Sequence, residues 1–460
     1  MKSSHSRINL LEQEKVSKAL LKLGIPTMIG MMVSALYNLV DVFFVGQLGT
    51  AQIGAVSIVY PLEMILLGIG LLFGAGASSF IARLLGIKAY DEASQCATTA
   101  IISAVLTGAL LLLGITLFLN PILMALGATP TILPYAREYA LIIIISMVFN
   151  VFNIAVNNII TAEGAAMQSM MAMLAGGVIN MMLDPVFIFI FNSGVKGVAY
   201  ATLVARLVSF GIYCYYLASG KSLLRFQLSA FKPSWPLYQE ILKVGIPMLV
   251  FQLLNSLTMG ITNFLASGFG DSTVAALGIV NRIMSLGSMM IFGFLKGYQP
   301  FIGFNVSAGN QERAESATRT VLVWGMVFCL LSSTLLILLH NPILTSFSQN
   351  DAQVLRIATK ALIANAVVFL GMAYQVIHGT RFLAMGKGKE GGLISIGRQG
   401  AFFLPLVFIL TLAFGLNGLI AAQPLADICS IVMVVILVQK EKRQLVPSEI
   451  AILEKPTRRF

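Results

Sequence analysis

Twelve apolar runs, each long enough to cross a bilayer, leave this 460-residue chain one way to satisfy its backbone. A crossing helix takes about 20 mostly apolar residues, and in hydrocarbon only helices and closed barrels pair every N–H and C=O internally. Stretches such as Leu141 to Ile145 are apolar on every side and lack the alternation of a barrel strand. The runs cover residues 23–46, 53–82, 97–119, 137–160, 168–191, 197–218, 241–267, 274–299, 319–339, 358–380, 391–413 and 416–438. The expected fold class is an all-α polytopic membrane protein with twelve transmembrane helices. Composition agrees: 57% of the residues are hydrophobic and 11% charged, whereas soluble domains carry about 25% charged residues.

The net charge of +11 invites a nucleic-acid partner, and its distribution argues for none. Lysine and arginine gather in alternate connections and at both ends, whereas only Arg137, Lys196, Arg356 and Lys360 fall on the other side. That asymmetry is the positive-inside pattern and predicts cytoplasmic termini in a cell membrane, the plasma or inner membrane of a prokaryote. Residues 1–22 then form a cytoplasmic N-terminal segment rather than a cleavable leader, and 439–460 a basic cytoplasmic tail. Membrane lipids are the expected surroundings of a monomer. Cys96, Cys214, Cys329 and Cys429 are scattered, with no C-x-x-C spacing, and read as small buried apolar residues.

The chain repeats itself. A shift of 221 residues aligns Lys22, Gly24, Ile25 and Pro26 with Lys243, Gly245, Ile246 and Pro247. The same shift aligns Asn120, Pro121, Ile122 and Leu123 with Asn341, Pro342, Ile343 and Leu344, and Gly194 and Gly197 with Gly415 and Gly418. The longest polar connection, 219–240, separates a first lobe of six spans (23–218) from a second (241–438) and reads as a cytoplasmic linker. Six is even, so both lobes enter the membrane in the same orientation. The repeat is parallel, the two six-helix lobes being pseudo-symmetric about an axis along the membrane normal. Two lobes that rock around a central cavity are the geometry of alternating access.

Against that apolar background, carboxylates stand out. Asp41 lies within the first span, where a charge costs about 2.5–3.5 kcal/mol on insertion scales. Helical spacing puts Tyr37, Asn38 and Asp41 near one face, and Pro26 permits a bend in the same helix. In the fifth span, Asn180 and Asp184 lie four residues apart, and Pro185 leaves the carbonyl of Met181 without its usual helical partner. Thr202 in the sixth span adds a hydroxyl. Carboxylates and free carbonyls inside a bundle suit a proton or a hard cation such as Na⁺. For Asn38, Asn153, Asn157, Asn158 and Thr202, helix-packing hydrogen bonds are an equal alternative.

Other polar residues are weaker candidates. Glu163 reads as interfacial, Arg206 as a partner for a nearby carboxylate or a snorkelling cation, and Arg282 and Lys296 as charges within the eighth span. His378 reads as a packing histidine or a proton relay, while Glu63 and Asp427 await basic partners. No G-x-x-x-x-G-K-[ST] loop is present, so the expected energy source is a gradient, with no cofactor and no enzymatic step.

Twelve spans in two parallel lobes, GIP opening each lobe, DPVFIF in the fifth span and GVAYAT in the sixth resemble the multidrug and toxic compound extrusion (MATE) transporters over about residues 15–440. The likeness is to the DinF-type branch. The resemblance implies that Asp41, Asn180, Asp184 and Thr202 form a cation or proton cluster, and that Tyr37, Tyr139 and Asn157 face the same cavity. It also implies that the first helix bends at Pro26. Asn38, Asn153 and Arg206 join Tyr37, Tyr139 and Asn157 as substrate-cavity candidates. Relatives of the NorM type carry carboxylates in the seventh and tenth helices, where this chain offers Asn255 and His378 instead. The expected function is cation-coupled antiport, with H⁺ or Na⁺ exchanged for amphipathic, cationic organic compounds. The alternatives are a lipid-linked or polysaccharide flippase of the same superfamily and an intramembrane aspartate enzyme.

Overall fold

The computed structural model describes residues 2–347 and 351–453. Its described residues are almost wholly helical. A short helix α1 (Lys2–Glu12) precedes α2 (Val16–Gly46), α3 (Thr50–Gly86), α4 (Tyr90–Leu117), the short α5 (Leu119–Ala125), α6 (Leu133–Ala162), α7 (Ala166–Pro185) and α8 (Gly194–Ala218). The second half follows as α9 (Trp235–Ser267), α10 (Asp271–Ser307), α11 (Gln311–Leu338), short α12 (His340–Phe347), α13 (Ala352–Ala384), α14 (Gly388–Ile396) and α15 (Phe403–Leu453).

Eleven of the helical stretches are long and apolar enough to cross a membrane, and the last of them, Gly388–Glu441, is 54 residues long. At 1.5 Å per residue that stretch would measure about 80 Å, far beyond the roughly 30 Å of a hydrocarbon core. It turns at Gly415, whose φ of 57° and ψ of −135° are not helical, and so supplies two crossings, making twelve. A left-handed backbone of that kind excludes most side chains, which is why glycine stands there. Its repeat mate Gly194, also at positive φ (54°), opens α8 at the same place in the first lobe.

The 221-residue offset recurs in the helix boundaries. α3 and α10 are both 37 residues long and begin at 50 and 271. α4 and α11 are both 28 residues long and begin at 90 and 311. Helix ends depart from the apolar runs because they extend past hydrocarbon. α2 begins at Val16, seven residues before the run at 23, α9 begins at Trp235 within the expected linker, and α15 continues to Leu453 within the expected tail. Residues 454–460 of that tail lie outside the described residues. α2 stays helical across Pro26, with the Thr27 hydroxyl donating to the carbonyls of Leu23 (2.9 Å) and Gly24 (3.0 Å).

The GIP motifs mark the seam between lobes. α2 packs on α10, and α3 on α9. A Cβ at Gly297 would lie 2.4 Å from the Leu23 carbonyl carbon, and one at Gly245 would lie 2.0 Å from the Leu72 oxygen, so these backbones touch only because both residues lack a side chain. Ser79 donates to the Leu383 carbonyl (2.6 Å) and Arg83 pairs with Glu240 (2.9 Å) across the same seam. All these contacts lie toward the helix ends that adjoin the chain termini, so the lobes are closed at that end. Farther along the same helices, Asn38, Ser57, Asn255, Arg282 and Ser285 are exposed within apolar lengths.

Candidate functional site

Asp41 and Asp184 meet because α2 and α7 run parallel at close range. A Cβ on Gly30 would meet Met173, and one on Gly177 would meet Val33 and Tyr37, so small residues on both helices draw the backbones together. The Gly30–Met173 register (173 − 30 = 143) carries forward to Asp41 and Asp184 (184 − 41 = 143). That register sets the two carboxyls side by side on facing lengths of α2 and α7. Asp184 is fully buried, and no donor among the described residues reaches either of its oxygens. Asp41 Oδ1 and Asn180 Oδ1 are also buried without donors. Asn180 Nδ2 reaches Thr202 Oγ1 at 3.5 Å, which brings the fourth residue of the expected cluster into the group. Pro185 ends α7, and a π-helical turn, Val186–Ile190, follows directly. Buried polar atoms are normally paired, so four buried oxygens without donors among the described residues are an exception that calls for a partner.

An ion-paired layer stands beside this group. Arg206 donates to Glu63 (3.2 Å) and to Ser146 (2.5 Å), giving Glu63 the partner that sequence did not identify. Asn153 donates to the Arg206 carbonyl at 2.9 Å, and its own oxygen is buried without a donor. Tyr139 is buried on α6, and Tyr37 is half-buried on the face of α2 that carries Asp41. Asn38 departs from the expected grouping. It is exposed and donates to the Ser34 carbonyl of its own helix, because one residue of helix turns it about 100° away from Tyr37.

Asn157 does not stand with the carboxyls. Its amide donates to Ser169 Oγ (2.5 Å) and Tyr213 Oη (2.7 Å), and its oxygen accepts from Lys296 of the other lobe. Lys296 thus crosses the seam from α10 to α6. His378, the repeat mate of Asn157 (157 + 221 = 378), is buried with its ring 4.5 Å from that of Tyr374. Arg282 is exposed, and Arg398 grips Asp427 through two bonds of 2.6 and 3.4 Å, with Gln423 adding a third at 3.0 Å. The second lobe's buried carboxylate is therefore satisfied where the first lobe's pair is not.

Glu163, just past the end of α6, has more partners than the sequence reading gave it. It has no solvent exposure and gathers Arg7 (3.3 Å), Tyr216, Ser222 (2.7 Å) and the Leu223 N–H (2.6 Å). Burial holds its carboxyl above the usual carboxylate range, and these donors pull the other way, Tyr216 foremost. The only signal in the sequence was a lone acid just past an apolar run, with no hint that Arg7, some 150 residues earlier, would reach it.

The family model for MatE matches residues 26–186 and again 247–409, at the offset of the internal repeat. The chain belongs to the MatE family. Its MatE relatives include the Multidrug export protein MepA of Staphylococcus aureus, 28% identical over 433 residues that cover 92% of this chain and 94% of the relative. Among solved MatE-like structures, an outward-facing conformation of a multidrug resistance MATE family transporter of the MOP superfamily matches with TM-score 0.90 at 26% identity, covering 96% and 98% of the two chains. A MOP superfamily transporter from Pyrococcus furiosus, described as having a binding pocket of reversed polarity, matches with TM-score 0.88 at 26% identity over 94% and 97%. The fold and the family together make this chain a multi-pass membrane protein of the MatE type, all-α and two-lobed.

Proposed function

We propose that this protein exports amphipathic, cationic organic compounds by alternating access, in exchange for H⁺ or Na⁺ taken up at the Asp41 and Asp184 pair. The observation that carries the reading is the pair itself: two carboxyls side by side on α2 and α7, with both Asp184 oxygens and Asp41 Oδ1 buried and lacking a donor among the described residues. A proton shared between them, or a small cation held with Asn180 and Thr202, supplies the missing partner. The names of the MepA relatives and of the outward-facing neighbour support multidrug compounds as cargo.

With the termini on the cytoplasmic side, as the charge asymmetry favours, closure at the terminal end is an outward-facing state. An ion then enters the pair from outside, and the pair's negative charge, once cancelled, no longer favours a cationic cargo. Coupling is that difference in affinity between states. One elementary charge moving down 100 mV supplies about 2.3 kcal/mol, a concentration factor of roughly fiftyfold for a neutral or charge-compensated cargo; a one-for-one exchange with a singly charged cation moves no net charge and draws on the ion's concentration gradient alone. The test is dye efflux from proteoliposomes under separately imposed proton and sodium gradients, comparing wild type with Asp41→Asn and Asp184→Asn. Loss of gradient-driven efflux in both variants is expected. Normal pumping by both would overturn the assignment, and lipid scrambling without dye efflux would favour a flippase.

A further inference from the structure

We propose that the N-terminal helix α1 is a strap laid across the two lobes, clasped by Arg7 and Glu163, which must leave its seat before the lobes part at the cytoplasmic end. Its first anchor is in the N-terminal lobe. Arg7 is nine-tenths buried, pairs with the fully buried Glu163 at 3.3 Å, donates to Tyr216 Oη at 2.5 Å and lies 5.5 Å from the centre of that ring. Its second anchor is in the other lobe. The Leu11 carbonyl accepts from Asn305 Nδ2 on α10 (3.1 Å) and from Arg313 Nε on α11 (3.3 Å), and the Glu14 carbonyl accepts from Arg313 (2.5 Å). Arg313 lies 5.1 Å from the Phe301 ring centre, and the Leu11 side chain is fully buried.

The two anchors are four residues apart in one rigid helix yet belong to different lobes. A contact of about 3.6 Å is no longer a hydrogen bond, so a separation of a few ångströms breaks one anchor or the other. α1 therefore adds its binding free energy to the closed state alone, and an equilibrium shifts by the interaction that one state has and the other lacks. The inter-lobe linker shares the clasp, since Ser222 and the Leu223 N–H also bind Glu163. The strap's consequence for export rests on the alternating-access reading, but its existence does not.

Hydrogen–deuterium exchange of the full chain in lipid nanodiscs tests it, comparing wild type with Arg7→Ala, Arg7→Lys and Arg313→Ala. Each alanine variant removes one anchor in one lobe. If α1 is a strap, both accelerate exchange at the seam on both lobes, at the ends of α3 and α10 as well as the starts of α2 and α9, by about tenfold or more, and Arg7→Lys restores part of the protection. If Arg7→Ala affects only α6, α8 and the linker, and Arg313→Ala only α10 and α11, the contacts are local packing and the proposal fails. Dye efflux keeps this outcome separate from the transport reading: strap variants change the rate of a pump that remains gradient-driven, whereas failure of the carboxyl assignment leaves Asp41→Asn and Asp184→Asn pumping.

Discussion

The same substitution made in the two lobes should destabilise one lobe and spare the other. Asp184→Asn replaces a buried carboxyl that has no donor among the described residues with an amide of nearly the same shape, whose new N–H is available to the facing Asp41. A hydrogen bond to a charged acceptor contributes about 1.5–3 kcal/mol, so this variant should be as stable as wild type or more stable by about that amount. Asp427→Asn removes the charge that faces Arg398 at 2.6 Å in a setting where both side chains are little exposed (15% and 13%). Breaking a buried pair on one side costs about 3–5 kcal/mol, and the partial exposure of this pair places it at or below the lower end. Thermal unfolding of the purified proteins in one detergent, followed by intrinsic fluorescence, reads both. The expected order of melting temperatures is Asp184→Asn at or above wild type, with Asp427→Asn lowest. Proteoliposome efflux on the same samples should show that the stabilised variant has lost gradient coupling. A fall in stability of Asp184→Asn equal to that of Asp427→Asn would refute the reasoning, because it would mean that the Asp184 carboxylate has partners that it loses.

Other outcomes follow from the same geometry. Gly297→Val places side-chain atoms where a Cβ already lies 2.4 Å from the Leu23 carbonyl carbon, so cross-linking of cysteines introduced at Ser79 and Leu383 should drop severalfold as the closed seam is forced apart. Gly415→Ala and Gly194→Ala each impose a left-handed backbone on a residue with a Cβ, costing about 1–2 kcal/mol; equal losses of thermal stability in the two variants would reflect their equivalent places in the repeat. Arg206→Gln removes the cation from Glu63 and should lower stability by about 1–3 kcal/mol, with the change in melting temperature largely absent from the double variant Arg206→Gln, Glu63→Gln.

Much of the architecture is legible in the chain because the membrane restricts the choices. Apolar length sets the crossings, the 221-residue offset sets two lobes, and Gly415 turns the chain in the gap between the runs 391–413 and 416–438. The candidate carboxyls are also legible, since an aspartate within a crossing is expensive enough to stand out. Their meeting is not. It depends on Gly30 and Gly177 letting α2 and α7 approach, a packing fact that hydropathy does not encode.

By itself, then, the sequence determined the number and class of helices, their pairing into repeats, and which buried charges needed an explanation. Only the tertiary structure decided which of those charges have partners: Asp427 with Arg398, Glu63 with Arg206 and Glu163 with Arg7, but no donor for Asp184 among the described residues. The physical reason is range. Helix formation and membrane burial are fixed by residues within a few turns of one another, whereas the satisfaction of a buried polar atom depends on groups that reach it from distant parts of the chain, and their distances exist only once the helices have packed.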